Sequence, residues 1–342
     1  LGTISDMGAL RGENRILVRY GLKELNNTQR IGLRKLYHLC DVANKKLTPI
    51  DVAAKIAPRL NSLGRIAEAR KGVELLLMKD EQKATKLAKE LELYNIERQK
   101  IERSASEEID RYIKKHPEIL NEKAIVLYSD KWHPGIIPII SAKLTKQYNR
   151  PTLLIAIEEN LGKGSIRTIP EFPLLKILKN SEHLLVNFGG HDYAAGLTIQ
   201  RKDIPELKKA FITHANKTLK DPDIFSKLYL DAHTNFDKLT FDFMESLSLL
   251  EPFGNENPAP ILYCDATQAW APKVVGKSHL KFYLQQKDRH LEGIGFGMAH
   301  HRRKLLTKRD LKLRIAFTPH INTFLNKTSI QLQIRDFKIL NE

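Results

Sequence analysis

Leu280-Lys281-Phe282-Tyr283-Leu284-Gln285 alternates apolar and polar side chains with a period of two, the spacing that sends successive residues to opposite faces of a β-strand. The pattern recurs. Leu313, Ile315 and Phe317 alternate with Lys312, Arg314 and Ala316, and Ile330, Leu332 and Ile334 alternate with Gln331, Gln333 and Arg335. Short strands of this kind in a segment of ~110 residues, with one helix near Phe241 to Leu250, predict a small antiparallel barrel of the oligonucleotide-binding type. Its interior would hold the apolar set. Lys281, Tyr283 and Arg314 would then face outward, where such barrels track a single strand by stacking and charge. A basic solvated sheet is the plainer alternative, because exposed Lys and Arg are the default on strands.

Working back from the barrel, residues 120–222 alternate short apolar runs with helical ones, an α/β texture: Ala124 to Tyr128, Pro151 to Ile157, Leu184 to Phe188 and Gly196 to Ile199, then Pro205 to Leu219. Ile136 to Ile140 reads as another strand-like piece. Before them, apolar residues from Leu87 and Ala88 through Leu91, Ala105, Ile109 and Ile113 keep a helical period, with Asp80 as N-cap and Pro117 as the stop. One helix of roughly 35 residues would be ~50 Å long. Charged over most of its circumference, it reads as a rod connecting two bodies. The domain reading is therefore 1–79, 80–119, 120–222 and 223–342.

Composition agrees with several folded domains: of 342 residues, 42% are apolar and 28% charged, enough for two or three cores. Lys and Arg number 56 against 40 Asp and Glu, a net charge of +16, so a polyanion is the first partner to consider. Cys40 and Cys264 alone exclude a disulfide framework and fit a reducing cytoplasm. No apolar run approaches the ~18 to 20 residues of a membrane span. The opening Leu1-Gly2-Thr3-Ile4 reads like the inside of a domain, and we expect a piece of a longer protein.

Four glycine-marked segments carry candidate chemistry. In Gly189-Gly190-His191-Asp192-Tyr193-Ala194-Ala195-Gly196, paired glycines after a strand allow backbone N–H groups close to an anion, and small residues after them would let a helix pack tightly. His191 by itself is more often structural. In Gly162-Lys163-Gly164-Ser165-Ile166-Arg167, at a strand start, Ser165 and Arg167 share a face and make a phosphate clamp, with a hairpin turn bearing a surface Arg as the equal alternative. Ala57 to Arg65 reads as a Pro-to-Gly loop in which Arg59, Asn61 and Arg65 favour a phosphate or carboxylate, against salt bridges to distant acids. Asp6, after strand-like Thr3-Ile4-Ser5, is a possible metal ligand, though a turn or cap residue is commoner.

Taken in order, Gly2-Thr3-Ile4-Ser5-Asp6, Gly12-Glu13-Asn14-Arg15, Ala57 to Arg65, Trp132-His133-Pro134-Gly135, Gly164-Ser165-Ile166-Arg167, Gly189 to Gly196 and Pro252-Phe253-Gly254-Asn255-Glu256-Asn257-Pro258-Ala259-Pro260 resemble the bacterial RecJ single-strand-specific 5′-to-3′ exonucleases, a family of DHH phosphoesterases. The resemblance covers nearly the whole chain. It implies an α/β multidomain fold: the end of a DHH domain, a long connecting helix, a DHHA1 domain and a C-terminal OB-fold barrel. Of the family's metal ligands only Asp6 is present: its Asp-x-Asp, a further Asp and the Asp-His-His triplet do not occur in this chain. Asp231-Ala232-His233 and His300-His301 lie in the barrel region, out of order for that role.

What the resemblance implies is a two-metal phosphodiester hydrolysis, using Mn²⁺ or Mg²⁺, that releases 5′-mononucleotides from single-stranded DNA in repair and recombination. Asp6 would be one metal ligand, and His191 would close over the cleft with Gly189 and Gly190. Arg59, Asn61 and Arg65 would line the DHH side. Ser165 and Arg167 would grip the 5′ end, and Lys281, Tyr283 and Arg314 the strand beyond. Implied partners are single-stranded DNA, a single-strand-binding protein and a helicase. This chain alone would bind DNA without cleaving it. Two other readings compete: a scaffold of the same domains without activity, and a phosphodiesterase for short oligonucleotides or cyclic dinucleotides, which would not need a barrel of this size.

Overall fold

The computed structural model describes residues 1–306, 310–325 and 327–340, and the chain divides into two units. One comprises Asn27–Lys46 and Ala53–Lys227. The other comprises Leu1–Asn26, Leu47–Val52 and the chain from Leu228 onward. Residues 1–79 contribute to both.

In the first unit the helical period is realised as a helix over Glu81–Lys115, whose N-terminus is capped by the Asp80 carboxylate accepting from the Lys83 N–H at 2.8 Å. Both ends of it bury an apolar stripe. Ala84, Ala88 and Leu91 pack with Leu63 and Leu75 of two preceding helices, Ala57–Ile66 and Arg70–Leu77. Ala105, Ile109 and Ile113 pack on the α/β sheet. The middle is different: Asn95 and Arg98 are buried where the apolar stripe breaks.

That sheet has five strands, β1 (Ile125–Ser129), β2 (Thr152–Glu158), β3 (Leu161–Arg167), β4 (Leu185–His191) and β5 (Ala194–Gln200), in the order β1-β2-β3-β5-β4. Only β1 and β2 run parallel. Strand β2 is covered on both faces: Leu153, Ile155 and Ile157 enter the core beneath helix Ile204–Thr218, while Leu154 and Ala156 enter the one beneath the long helix. This is why its sequence runs apolar without alternation. Ile136 to Ile140 is helical, correcting the strand-like reading. Ile137, Ile140, Ser141, Leu144 and Thr145 of helix Ile137–Tyr148 are the buried ones, a helical spacing, and Pro138 sits in the first turn where its missing N–H costs nothing.

The second unit contains the barrel. Strands β7 (Leu262–Val275), β8 (His279–Gln286), β9 (Arg289–Gly295), β10 (Lys312–Phe324) and β11 (Lys327–Ile339) pair in the order β10-β11-β9-β8-β7, and β10 pairs back onto β7 to close it. A short β6 (Ala232–His233) lies beside β7. Leu280, Phe282, Leu284, Leu313, Ile315, Phe317 and Leu332 are fully buried inside, as the alternation requires. The segment from Leu249 to Glu256 clasps the chain's first residues: the Leu10 N–H donates to the Asn255 carbonyl (2.8 Å), the Asn255 amide to the Met7 carbonyl (2.6 Å), and Arg15 to the Leu249 carbonyl (2.8 Å). Two motifs of the resemblance, around Arg15 and around Asn255, thus serve one contact. Cys40 and Cys264 are buried free thiols. No helix among the described residues is long and apolar enough to cross a membrane.

Candidate phosphate and single-strand interface

The β3–β5–β4 register builds the first candidate surface. Ser165 lies opposite Gly196, which lies opposite Gly189; Arg167 lies opposite Ala194, which lies opposite His191. Directly paired residues of antiparallel strands point to one face, so Ser165, Arg167 and His191 share a face whose middle strand carries only Gly196 and Ala194. The middle is low for lack of side chains. Ser165 and Arg167 stand at the end of β3, not at its start, and Gly189 to Gly196 is a hairpin rather than a strand followed by a helix. Gly190 is needed for the hairpin itself: at φ +154° a Cβ there would stand 2.3 Å from the Ala194 carbonyl oxygen. His191 is exposed, and its Nδ1 accepts from the Tyr193 N–H at 3.3 Å.

Arg65 comes to this surface from another element. Residues 57–65 are not a loop; they form most of helix Ala57–Ile66, and the Trp132-His133-Pro134-Gly135 turn closes on its end. Arg65 donates from Nη1 to the Gly135 carbonyl at 3.1 Å, and a Cβ on Gly135 would stand 2.3 Å from the Arg65 carbonyl oxygen. Burial, then the neighbouring charge of Arg65, holds the Arg167 guanidinium below its ordinary pKa. Burial, then the charge of Arg98, does the same to Arg65, with the charge of Glu102 opposing it. Arg98 donates to Asn95 (3.1 Å) and to Glu102 (2.5 Å), so it arrives already paired. Two half-buried guanidiniums, Arg65 and Arg167, are left without a carboxylate in ion-pair reach among the described residues. An anion beside both would offset the desolvation and the repulsion, which makes this a candidate anion site.

Sequence reasoning named Arg59 and Asn61 with Arg65, and the structure separates them. Arg59 grips Glu92 of the long helix through two nitrogens and donates to the Lys55 carbonyl at 2.7 Å. Its charge is spent on helix packing, the distant acid being invisible in a local reading. Asn61 lies exposed one turn before Arg65, on the same side of the helix. Arg98 was missed, because one more cation on a charge-balanced helix carries no local sign of burial.

The second surface is on the barrel. Trp270 of β7 is 59% exposed; its ring meets Tyr283 edge-on at 5.9 Å and lies tilted over His290 at 5.3 Å. Lys273 and Lys281 stand over the Tyr283 ring at 5.8 and 5.3 Å. Exposed aromatic faces ringed by ammonium groups are what a single strand stacks on. Tyr283 was legible in the alternation. Trp270, Lys273 and His290 were not, because the β7–β8 pairing shifts register between Gln268 and Lys273 and breaks the period of two. Two of the outward cations are already engaged. Lys281 pairs with Glu292 at 2.7 Å, and Arg314 holds Asp265 through two bonds, 2.7 and 2.9 Å. Lys281 and Arg314, both expected to face a strand, thus each stand in an ion pair.

Asp6 follows a helical turn, Gly2–Ser5, rather than a strand, and is exposed. No group of three or more His, Cys, Asp or Glu among the described residues is arranged to hold a metal ion. One exposed carboxylate does not fit a pair of divalent ions.

Comparison with known proteins bears on both surfaces. Residues 121–221 match the DHHA1 domain family and residues 230–336 the RecJ OB domain family. The chain is 31% identical over 340 residues to the single-stranded-DNA-specific exonuclease RecJ of Bacillus subtilis and 33% identical over 285 residues to that of Thermus thermophilus, covering 98% and 83% of itself. Crystal structures of Thermus thermophilus RecJ with Mg²⁺ and with Mn²⁺ superpose over the whole chain at TM-scores of 0.81 and 0.82, with 26% and 27% identity. The fold and these matches define a protein of the DHHA1 and OB-domain class. More particularly, the chain is RecJ-like, corresponding to the C-terminal part of those exonucleases. It spans 43% and 40% of the length of the two relatives, and about half of the crystallised chains.

Proposed function

We propose that this chain is the strand-holding part of a single-strand-specific 5′-to-3′ exodeoxyribonuclease. Arg65 and Arg167, with the Ser165 hydroxyl and the Gly189-Gly190-His191 hairpin, bind the 5′-terminal phosphate. The observation that carries this is the placing of Arg65 beside Arg167: two half-buried cations with no carboxylate in ion-pair reach among the described residues, the charge of Arg65 weighing on Arg167, so the protein bears their cost until an anion arrives. Fixing one end of the strand there makes digestion directional, since a scissile bond can then lie only one nucleotide inward. The barrel holds the strand beyond, stacking bases on Trp270 and Tyr283 at ~1 to 3 kcal/mol per base.

The related crystal structures hold Mg²⁺ or Mn²⁺, and by this reading ligands for such an ion would have to come from outside this chain, with Asp6 contributing at most one carboxylate. This chain alone binds single-stranded DNA and releases no mononucleotide. Its place is cytoplasmic DNA repair and recombination, alongside a single-strand-binding protein and a helicase. Fluorescence anisotropy with 5′-phosphorylated and 5′-hydroxyl oligonucleotides tests the core of it: preference for the phosphate, lost on Arg167→Ala, supports the reading, and equal affinity for both ends refutes it.

A further inference from the structure

A second cleft, of about 240 Å³, opens at the carboxyl end of β1. Leu127 and Trp132 form part of its lining, with Tyr112 and Glu108 from the long helix, Tyr128 from β1 and Lys208 from helix Ile204–Thr218. Tyr112 and Tyr128 are close to half exposed, 46% and 44%, so aromatic surface is offered to whatever enters. Trp132 is only 7% exposed, and its Nε1–H is buried without an acceptor. A buried donor left unpaired in a native fold calls for a partner.

We propose that this cleft binds one mononucleotide, with its base against Tyr112 and Tyr128 and its phosphate at Lys208. Size limits the ligand first: the volume falls below the ~300 to 1,000 Å³ of sites for drug-sized ligands, leaving room for one ring system. Aromatic walls select a planar ring, which stacks whatever its substituents. Charge then selects its partner group. Lys208 already stands 5.9 Å over the Tyr128 ring, so an incoming cation meets an occupied aromatic face and a like charge, whereas an anion meets an ammonium. Neither Lys208 nor Glu108 is held in an ion pair among the described residues, and Glu108 can accept from an exocyclic amine.

The assignment stands on the cleft and is independent of the arginine pair, although the Trp132-His133-Pro134-Gly135 turn touches both. The test uses the chain's two tryptophans, Trp132 and Trp270. In a Trp270→Phe background Trp132 alone reports. Titration with deoxyadenosine monophosphate should give saturable quenching of Trp132, calorimetry on the Arg167→Ala variant should count one site, and Tyr128→Ala should weaken the quenching about tenfold, the loss of one stacking face. Lys208→Met should abolish the preference for the monophosphate over deoxyadenosine. Tyr128 and Lys208 are partly exposed, and an unchanged melting temperature will show that the variants fold. Arg167→Ala should leave the Trp132 signal unchanged, so failure of the 5′-end reading and failure of this one give different results. No saturable quenching up to millimolar nucleotide, quenching indifferent to Tyr128→Ala, loss of quenching on Arg167→Ala, or binding of an arginine amide in place of the nucleotide would each overturn the assignment.

Discussion

On strand β3 the Nη1 of Arg167 donates to the hydroxyl of Ser165 at 3.3 Å and to the Ile166 carbonyl at 2.8 Å, so the strand's own atoms fix where the guanidinium points. The remaining nitrogens make no hydrogen bond among the described residues and can meet an anion. Ser165→Ala removes one tether but leaves the carbonyl, and should lower affinity for 5′-phosphorylated single strands by a few-fold, about 1 kcal/mol for one neutral hydrogen bond. Arg167→Lys should not restore the loss caused by Arg167→Ala, because an ammonium cannot keep the tether and a two-pronged phosphate contact together. Anisotropy titrations on the two variants check both statements.

Removing the Trp270 or Tyr283 ring should weaken single-strand binding by ~1 to 3 kcal/mol each while leaving its salt dependence unchanged, since stacking releases no counterions. Lys273→Ala should do the reverse, reducing the slope by ~0.7 for one lost phosphate contact. The slope of log affinity against log salt separates the two cases.

Arg314→Ala should change single-strand affinity less than Lys273→Ala, because Arg314 is committed to Asp265. Its effect should show instead as a small loss of stability, since an exposed ion pair contributes little in water. Chemical denaturation and DNA titration of the same variant make the comparison. A large loss of DNA affinity would mean the ion pair opens on binding.

His320 and His301 set a pH dependence. Burial pushes both imidazoles below their ordinary range, with Arg335 adding to the effect at His320 and His300 and Lys304 at His301, against a Gln331 hydrogen bond at His320 and Asp336 at His301. The unfolded chain therefore takes up protons near pH 6.5 that the folded chain refuses. The stability these histidines contribute is present above that pH and declines as pH falls through it. Melting temperatures measured from pH 7.5 to 5 should drop less steeply for the His301→Gln, His320→Gln double variant than for the unaltered chain.

The barrel and the long helix were legible because each rests on a period, and periods survive in a bare sequence. Phe282 inside and Tyr283 outside follow from alternation alone, as Asp80 at the helix start follows from capping. Short or interrupted elements were not legible. Thr3-Ile4 is β-branched and reads as strand, yet one turn of helix forms there, with the Ser5 hydroxyl donating to the Leu1 carbonyl. Trp270 was hidden by a bulge. Pairings distant in sequence were hidden too: nothing near Arg59 announces Glu92, and nothing near Arg65 announces Gly135 or Arg167. For the anion site, its residue types were readable from glycine-marked segments, whereas which guanidiniums stay unpaired depends on the tertiary fold.

The central claim is that Arg65 and Arg167 together hold a 5′-terminal phosphate, and a double-mutant cycle tests it most directly. The quantity is the ratio of affinities for 5′-phosphate and 5′-hydroxyl forms of one oligonucleotide, measured for the unaltered chain, Arg65→Ala, Arg167→Ala and the pair. We expect each single variant to lose about 10- to 100-fold of the phosphate preference, the worth of a charge-assisted contact, and the double variant to lose less than the sum of the two in free energy, because both act on one group. A ratio near one in the unaltered chain, or single-variant losses equal for the phosphate and hydroxyl ends, would contradict the account.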